Sequence, residues 1–217
     1  GFAVTAGDET FQTKTVLVAS GSSRRKLDVP GAKEFENKGI TYCASCDGPL
    51  FADQEVVVVG GGNAGFETAA QLLAYAKSVT LLHRSEKFKA DEMTVEKVLS
   101  NPKMKGLLNA TPVEVKGEKF VKSIIYKDTK TGEEKEMPVA GVFVEIGLIP
   151  ATNFVEGLVP LNDLKQIKID HRTQRTEVAG IWAAGDVTNT LYHQNNIAAG
   201  DAVRALEDIY LYVHTGK

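Results

Sequence analysis

Short apolar runs rich in β-branched residues punctuate the chain and are separated by polar or glycine-containing stretches. Several of these runs are continuous rather than alternating, which is typical of strands buried on both faces of a parallel sheet. They occupy residues 15–19 (TVLVA), 55–59 (EVVVV), 79–83 (VTLLH), 142–147 (VFVEIG) and 179–187 (AGIWAAGDV). Residues 112–138 instead predict antiparallel strands joined by a turn at Thr131-Gly132.

Three other segments have the apolar spacing of helices, at residues 66–76, 91–101 and 198–213. The first follows the sequence GGGNAG, which itself follows the strand at 55–59, and the strand at 79–83 comes next. Strand, glycine turn, helix and strand within about 30 residues form one βαβ unit. The pattern therefore predicts an α/β fold with a parallel sheet.

Composition narrows the class of protein. The 217 residues are 43% hydrophobic and 24% charged, and the formal net charge of -3 disfavours nucleic acid as the main partner. No apolar run approaches the roughly 20 residues that a membrane span requires. Two cysteines are too few for a disulfide-stapled secreted scaffold. We therefore expect a cytoplasmic globular protein.

The glycines of GGGNAG have the spacing of a dinucleotide-binding turn. Gly60 would permit the tight turn, Gly62 the approach of a pyrophosphate, and Gly65 the packing of helix on strand. The helix that follows would offer free N–H groups to the phosphates. The motif is weak alone, but its place between a strand and a helix favours nucleotide binding over an ordinary glycine turn.

A residue at the end of the next strand should contact the adenosine ribose of such a nucleotide. An acid there favours NAD, whereas this sequence has His83-Arg84 followed by Lys87 and Lys89, and the nearest acid is Glu86. Basic groups suit a 2′-phosphate and therefore favour NADP. The alternative is a solvated charged loop.

Cys43 and Cys46 form a C-x-x-C pair in CASCDG. A structural zinc site would need further ligands at set spacing, and the four histidines are scattered. An inert buried pair is the other alternative. The turn predicted by Asp47-Gly48-Pro49 and the nearby βαβ pattern favour a redox dithiol, with Asp47 able to carry protons.

Together these motifs resemble the low-molecular-weight thioredoxin reductases and the related flavoprotein subunit of alkyl hydroperoxide reductase. The matching stretches occur in the same order along nearly the whole chain. They are TYCASCDGPLF, VVVVGGGNAGFETAAQL, VTLLHRSEKFKA, FVEIGLIP and GIWAAGDV.

The resemblance implies two Rossmann-like, three-layer domains, an NAD(P) domain being inserted into an FAD domain. Electrons would pass from NADPH to FAD, then to the cysteine pair, then to a disulfide of a partner protein. On that pattern Cys46 faces the flavin, Cys43 exchanges with the substrate, and Asp47 donates the proton. The implied nicotinamide-dinucleotide residues are Gly60, Gly62, Asn63, Ala64, Gly65, His83, Arg84, Lys89, Ile146 and Gly147. The implied flavin residues are Ser20, Gly21, Gly185, Asp186, His193, Gln194 and Ala198.

Two departures from the family pattern qualify these expectations. The family typically has two arginines after the histidine and a third further on, whereas here Ser85 follows His83-Arg84. The missing second arginine weakens the expected preference for NADPH. The NADH-using peroxiredoxin reductases therefore remain an alternative. In addition, no glycine-rich FAD turn precedes Thr15, and the chain starts at Gly1.

We therefore expect a C-terminal portion of a longer, homodimeric reductase. Residues 26–150 would form the NAD(P) domain, and residues 1–25 with 151–217 a partial FAD domain. The alternative functions are an NADH-dependent peroxiredoxin reductase and, for this stretch alone, an NAD(P)-binding module without turnover.

Overall fold

The computed structural model describes residues 1–216. They divide into two compact units. One, the core unit, spans Arg24–Gly147; the other, the split unit, combines Gly1–Ser23 with the described residues from Leu148 onward.

Fourteen strands and four α-helices make up the regular structure of the described residues. The strands of the first half are β1 (Phe2–Ala6), β2 (Glu9–Thr13), β3 (Val16–Val18), β4 (Ser22–Arg24), β5 (Ile40–Thr41), β6 (Glu55–Val59), β7 (Ser78–Leu82) and β8 (Met104–Leu107). The remaining strands are β9 (Ala110–Gly117), β10 (Val121–Asp128), β11 (Glu134–Pro138), β12 (Gly141–Val144), β13 (Leu148–Pro150) and β14 (Ile181–Ala183). The helices are α1 (Ala44–Asp47), α2 (Asn63–Leu72), α3 (Glu92–Leu99) and α4 (Asn195–Thr215).

The core unit is built on a five-stranded parallel sheet in the order β5-β12-β6-β7-β8. Successive side chains of a strand point to opposite faces, so the VVVV run of β6 serves two cores. Val57 and Val59 pack against residues of the antiparallel β9-β10-β11 sheet. Val56 and Val58 pack against α2. The unit therefore has three layers, with the parallel sheet in the middle.

The chain enters and leaves the core unit at neighbouring positions. The backbone N–H of Arg25 donates to the carbonyl oxygen of Gly147 at 2.9 Å. The first and last residues of the unit, Arg24 and Gly147, therefore lie beside one another although the whole unit separates them in sequence.

The split unit contains the two-stranded sheets β1-β2 and β3-β14 and the long helix α4, and it includes β13 and the first two residues of its partner strand β4. Strands β3 and β14 are parallel, with Val16 opposite Ile181. Their buried side chains form one core with the fully buried Ile167 and Val187. The indole N–H of Trp182, on β14, donates to the carboxylate of Asp208 of α4 at 2.8 Å.

The strand predictions were more accurate than the helix predictions. Strand β6 has the predicted bounds, and the antiparallel pairing of β9, β10 and β11 is as expected. The helix predicted over 66–76 instead spans Asn63–Leu72, so the prediction was wrong at both ends. The strand predicted over 179–187 is confined to Ile181–Ala183, because the chain turns into a 3₁₀ helix at Gly185–Val187. None of the described helices is long and apolar enough to cross a membrane.

Candidate functional site

The glycine loop between β6 and α2 is packed so tightly that two of its glycines are required. A Cβ on Gly60, whose φ is +124°, would lie 2.0 Å from the carbonyl oxygen of Glu145. A Cβ on Gly65 would lie 1.8 Å from the carbonyl oxygen of Gly60. Gly62 differs, because a Cβ there would meet nothing within 4 Å. The loop is therefore closed against the sheet at Gly60 and Gly65 and open at Gly62.

A cavity of about 720 Å³ lies at the carboxyl ends of the parallel strands beside this loop. Of the predicted dinucleotide residues, the cavity brings together Gly60, His83, Arg84, Lys89 and Ile146. Residues that were not predicted also line it: Arg25, Leu27, Asp28, Val29, Val59, Gly61, Leu82, Ala110, Thr111, Pro112 and Glu145. The remaining predicted residues, Gly62, Asn63, Ala64, Gly65 and Gly147, are not among its lining, although the first four belong to the adjoining loop and first turn of α2.

His83, directly after β7, is a buried polar group in the wall of this cavity. Its side chain packs against Gly61, where a Cβ would lie 2.6 Å from the imidazole Cγ, and its Nε2 has no hydrogen-bond partner. Burial lowers the pKa of His83 below its ordinary value, and the positive charges of Lys89 and Arg84 act in the same direction. The imidazole is therefore neutral at pH 7.

The basic residues at the same edge are exposed. Arg84 and Lys89 line the cavity, and the backbone N–H of Lys89 donates to the carbonyl oxygen of Gly61 at 2.7 Å. Glu86, the acid nearest in sequence, forms an ion pair with Lys130 at 3.0 Å and is not among the cavity's lining residues. The β7 end of the cavity is thus cationic.

Glu145 brings a carboxyl group to the opposite side of the loop. Its side chain is only 9% exposed. Thr68 of α2 donates its hydroxyl to Oε1 at 2.8 Å, and Nη1 of Arg24 donates to Oε2 at 2.9 Å. Burial raises the pKa of Glu145, while these two partners oppose that rise. Burial is the larger effect.

Cys43 and Cys46 are joined by a disulfide, with their Cα atoms 5.3 Å apart. Cys43 is the N-cap of α1, and its Sγ accepts a hydrogen bond from the backbone N–H of Cys46 at 3.2 Å. Cys46 is exposed and Cys43 is half-buried. Both sulfur atoms therefore lie on or near the surface of the core unit.

Asp47, the last residue of α1, is held by a residue that the sequence analysis did not single out. The hydroxyl of Thr41, on β5, donates to Oδ2 of Asp47. The same hydroxyl oxygen accepts from the backbone N–H of Cys43 at 3.4 Å. Thr41 is buried, so this hydroxyl links the carboxylate to the cysteine loop in one orientation.

A second cavity of about 490 Å³ lies beside the cysteine helix, and Thr41 and Asp47 form part of its wall. Its apolar lining includes Leu50 and Phe120, whose side chains are 72% and 56% exposed. The cavity therefore exposes apolar side chains next to the cysteine helix.

The predicted flavin residues all lie in the split unit. Gly185 has a φ of +74°, and a Cβ there would lie 3.2 Å from the Cβ of Ala198 in the first turn of α4. Asp186 accepts from the hydroxyl of Ser22 at 3.4 Å and lies 3.4 Å from Nδ1 of His193. Gln194 is the N-cap residue of α4 without a side-chain capping bond.

The turn after β3 belongs to the same unit. The hydroxyl of Ser20 donates to the carbonyl oxygen of Ala151 at 2.7 Å, and Gly21 has a φ of +67°. The structure thus brings Gly185, Asp186, His193 and Ala198 together, and it places Ser22, which was not predicted, among them. Within residues 1–216, no group of three or more His, Cys, Asp or Glu side chains has the arrangement of a metal site.

Comparison of the sequence with known protein families assigns the chain to one of them. The sequence profile of the family described as pyridine nucleotide-disulphide oxidoreductase matches residues 2–202. The chain belongs to this family. The family match extends over both the core unit and the split unit.

Individual relatives point in the same direction. The chain is 40% identical over 205 residues to a thioredoxin reductase of Mycolicibacterium smegmatis, a match that covers 94% of this chain and 66% of the relative. It is 39% identical over 206 residues to an alkyl hydroperoxide reductase component of Staphylococcus epidermidis, covering 95% of this chain and 40% of that protein. The chain therefore spans less than two thirds of the length of these relatives.

The fold has close counterparts among solved structures. The crystal structure of Lactococcus lactis thioredoxin reductase superposes with a TM-score of 0.85 at 36% sequence identity, over 97% of this chain and 70% of that one. This similarity confirms the expected Rossmann-type α/β fold.

Proposed function

We propose that this chain is part of an NADPH-dependent flavoprotein disulfide reductase of the thioredoxin reductase type. Electrons would travel from NADPH through FAD to the Cys43–Cys46 disulfide and from the resulting dithiol to a disulfide of a partner protein. One observation carries the proposal. A surface disulfide, with an acid anchored beside it, lies in the same unit as a dinucleotide-type glycine loop and cavity.

The cavity beside the glycine loop fits a nicotinamide dinucleotide. Gly62 leaves open space where a pyrophosphate would approach, and the N-terminus of the ten-residue α2 faces that space with free N–H groups. The unbonded Nε2 of His83 is a buried polar atom that a ligand would satisfy. We assign Gly60, Gly62, Asn63, Ala64, Gly65, Ile146 and Gly147 to the body of this site.

The charges at the end of β7 favour NADPH over NADH. Arg84 and Lys89 line the cavity there, and Glu86 is paired elsewhere with Lys130. A 2′-phosphate would be bound by these cations, whereas no carboxylate among the described lining residues follows β7 to accept a hydrogen bond from the 2′-hydroxyl of NADH. Ser85 in place of a second arginine makes the preference smaller than a three-cation site would give.

The flavin would be held by the split unit. The carboxylate of Asp186, the left-handed turn at Gly185 and the start of α4 at Gln194–Ala198 form a polar edge there. Nδ1 of His193 is buried and faces Asp186 at 3.4 Å without a hydrogen bond, so a polar ligand could bind at this edge. We assign Ser20 and Gly21 to the same site. FAD, when bound, supplies the conversion of hydride transfer into disulfide reduction.

Reduction of the Cys43–Cys46 disulfide consumes two electrons and two protons if both thiols are formed. Asp47 lies four residues after Cys43, and Thr41 links its carboxyl group to the cysteine loop, so Asp47 would supply a proton to the nascent thiolate. Cys46 would accept the electrons on the flavin side. Cys43 would then attack the disulfide of the partner as a thiolate, releasing one thiol of that partner.

The partner would be a thioredoxin-like protein that exposes a disulfide. The apolar groove with Leu50 and Phe120 provides a surface for it beside the cysteines. The alternative is a peroxiredoxin-type partner reduced at the expense of NADH, which the similarity to an alkyl hydroperoxide reductase supports. We further propose that the full-length protein is a cytoplasmic homodimer.

An absorbance spectrum of the purified chain before and after addition of FAD tests the proposal first. Flavin bands that survive desalting, and that NADPH bleaches in the absence of oxygen, are the expected result. A Cys46→Ser variant should still be bleached but should no longer pass electrons to a partner. A preparation without flavin that nevertheless binds NADP⁺ would reduce this chain to a dinucleotide-binding module.

Steady-state turnover with each candidate partner separates the two reductase functions. The main proposal requires that thioredoxin be reduced faster than a peroxiredoxin, with a higher kcat/KM for NADPH than for NADH. The opposite order for both pairs would establish the peroxiredoxin alternative.

A further inference from the structure

The sheet order of the core unit locates the centre of its ligand-binding crevice. From β6 the chain continues to β7 and β8 on one side, and it later returns to β12 on the other side of β6. Ligands of open α/β sheets bind outside the carboxyl ends of the strands at the point where the strand order reverses. In this unit that point lies between β6 and β12. The residues directly after these strands are Gly60 and Glu145, which contact one another.

Glu145 has a largely buried carboxyl group that is held in a fixed orientation at this point. Thr68 and Arg24 each donate one hydrogen bond to a different oxygen of the carboxylate. A carboxylate has about four acceptor positions, so each oxygen can still accept one more bond. Arg24 balances its charge, so an anionic ligand nearby is not repelled by an unpaired carboxylate. The other carboxyl group of the cavity, Asp28, is exposed.

The side chains and loops at the ends of three strands are arranged in the same order as the functional groups along NADP. The cations Arg84 and Lys89 follow β7, the open glycine loop follows β6, and the carboxylate of Glu145 follows β12. NADP carries a phosphate on its adenosine ribose, a pyrophosphate in its middle and an unmodified diol on its nicotinamide ribose. Hydroxyl groups of a ribose donate to carboxylates in dinucleotide sites.

We infer that Glu145 is a specificity-determining residue that accepts hydrogen bonds from the ribose diol of the nicotinamide half of the dinucleotide. The inference rests on the proposed dinucleotide site and adds to it the residue that reads the second ribose. Thr68 and Arg24 are positioning residues in this assignment, because each donates a hydrogen bond to one oxygen of Glu145 and so fixes the orientation of its carboxylate.

Titration calorimetry with three ligands tests the role of Glu145. The probes are NADP⁺, 2′-phospho-ADP-ribose, which keeps the second ribose but lacks nicotinamide, and adenosine 2′,5′-bisphosphate, which lacks both. In Glu145→Gln, the dissociation constants of NADP⁺ and 2′-phospho-ADP-ribose should rise about tenfold, because one charge-assisted bond is weakened. That of adenosine 2′,5′-bisphosphate should not change, and its retention also shows that the variant is folded.

Glu96→Gln is the matched control, since Glu96 is an exposed carboxyl group on α3 that does not line the cavity, and the charge change is the same. It should leave all three constants unchanged. Thr68→Val retains the carboxylate of Glu145 but removes the hydrogen bond to its Oε1. This variant should weaken the binding of NADP⁺ and 2′-phospho-ADP-ribose by about threefold. This second variant decides the matter if Glu145→Gln does not fold.

The other outcomes each exclude something definite. Equal weakening of all three probes would assign Glu145 a structural role only, and no weakening of any would remove it from the site. Weakening of NADP⁺ alone would mean that Glu145 contacts the nicotinamide ring and not the diol. Failure of the unmodified chain to bind any of the three would instead overturn the dinucleotide site itself.

Discussion

The hydroxyl of Thr41 determines where the carboxyl group of Asp47 lies. It donates to Asp47 and accepts from the backbone N–H of Cys43, so both of its hydrogen-bonding directions are used. A buried hydroxyl with two fixed partners cannot rotate freely. The distance from the proposed proton donor to the cysteine loop therefore depends on one threonine outside the proposed cofactor sites.

Replacement of Thr41 by valine should slow proton-coupled reduction of the disulfide without unfolding the chain. Valine keeps the shape but loses the hydroxyl, and misplacement of a general acid costs about tenfold or more in rate. Reduction by dithiothreitol, followed by trapping of the free thiols with a mass label, measures this without any flavin.

Thr41→Ser is the control, because serine restores the hydroxyl and should restore the rate and its pH dependence. If the valine and serine variants were equally slow, packing of the methyl group and not the hydroxyl bond would be responsible. If valine had no effect, Thr41 would have no part in proton delivery.

His83 should make the stability of the chain depend on pH. Burial lowers the pKa of His83 in the folded state, so the unfolded chain, with its ordinary value, binds the proton first as pH falls. The stability that neutral His83 contributes to the folded state is therefore lost as pH falls from about 6.5 through the pKa of His83 in the folded chain. In urea unfolding followed by circular dichroism, His83→Phe should show a smaller loss of stability between about pH 7 and 5 than the unmodified chain.

Substitution of the exposed His171 should leave the wild-type pH dependence intact. An unchanged slope in His83→Phe would show that other groups produce the acid sensitivity.

At the scale of elements, the glycine loop and α2 act as one rigid piece. Gly65→Ala would force a Cβ to within 1.8 Å of the carbonyl oxygen of Gly60, and we expect a loss of about 2–3 kcal/mol in stability. Gly62→Ala meets no neighbour, so it should fold normally but fill the space where a pyrophosphate would lie. Hydrogen exchange of the β6 amides measures the first effect and NADP⁺ titration the second.

The two glycines must behave differently for the packing account to hold. Unchanged stability of Gly65→Ala, or destabilisation by Gly62→Ala, would contradict it.

The elements that the sequence predicted well are those whose signal is local. The run EVVVV is apolar at every position after Glu55, and β6 has its predicted bounds because such a run suits a strand buried on both faces. Strand β8 (MKGL) was not predicted, because Lys105 and Gly106 carry no strand signal and only pairing with β7 makes it one. Helix α2 begins at Asn63, earlier than its apolar pattern, because the glycine loop already directs the chain into the helix.

The candidate site was less predictable than the strands, because several of its contacts join residues that are far apart in the sequence. Motifs in short stretches of sequence singled out the cysteines, the glycines and the basic cluster after β7. Glu145 was assigned only to a strand, since its burial and its bond to Thr68, 77 positions away, arise from tertiary packing. Arg25 and Thr111 likewise reach the cavity through strand order, which no local pattern encodes.

At the scale of the whole molecule, the core unit should be able to fold alone. Its parallel and antiparallel sheets, both of their hydrophobic cores and every residue that lines the 720 Å³ cavity lie within Arg24–Gly147. A chain of residues 24–147 should therefore give the circular dichroism of an α/β fold and bind adenosine 2′,5′-bisphosphate as tightly as the full chain does. A disordered spectrum would show that the split unit is needed for its folding.

The hydrogen bond between Arg25 and Gly147 has a consequence for how such a protein can arise and how it can be re-engineered. A compact unit whose two ends touch can be placed in a surface turn of another chain without stretching either one. By the same reasoning, joining Arg24 to Gly147 with a short linker and opening the chain at the exposed β10–β11 turn should give a functional circular permutant. The fold of the core unit then does not depend on the position at which its chain begins and ends.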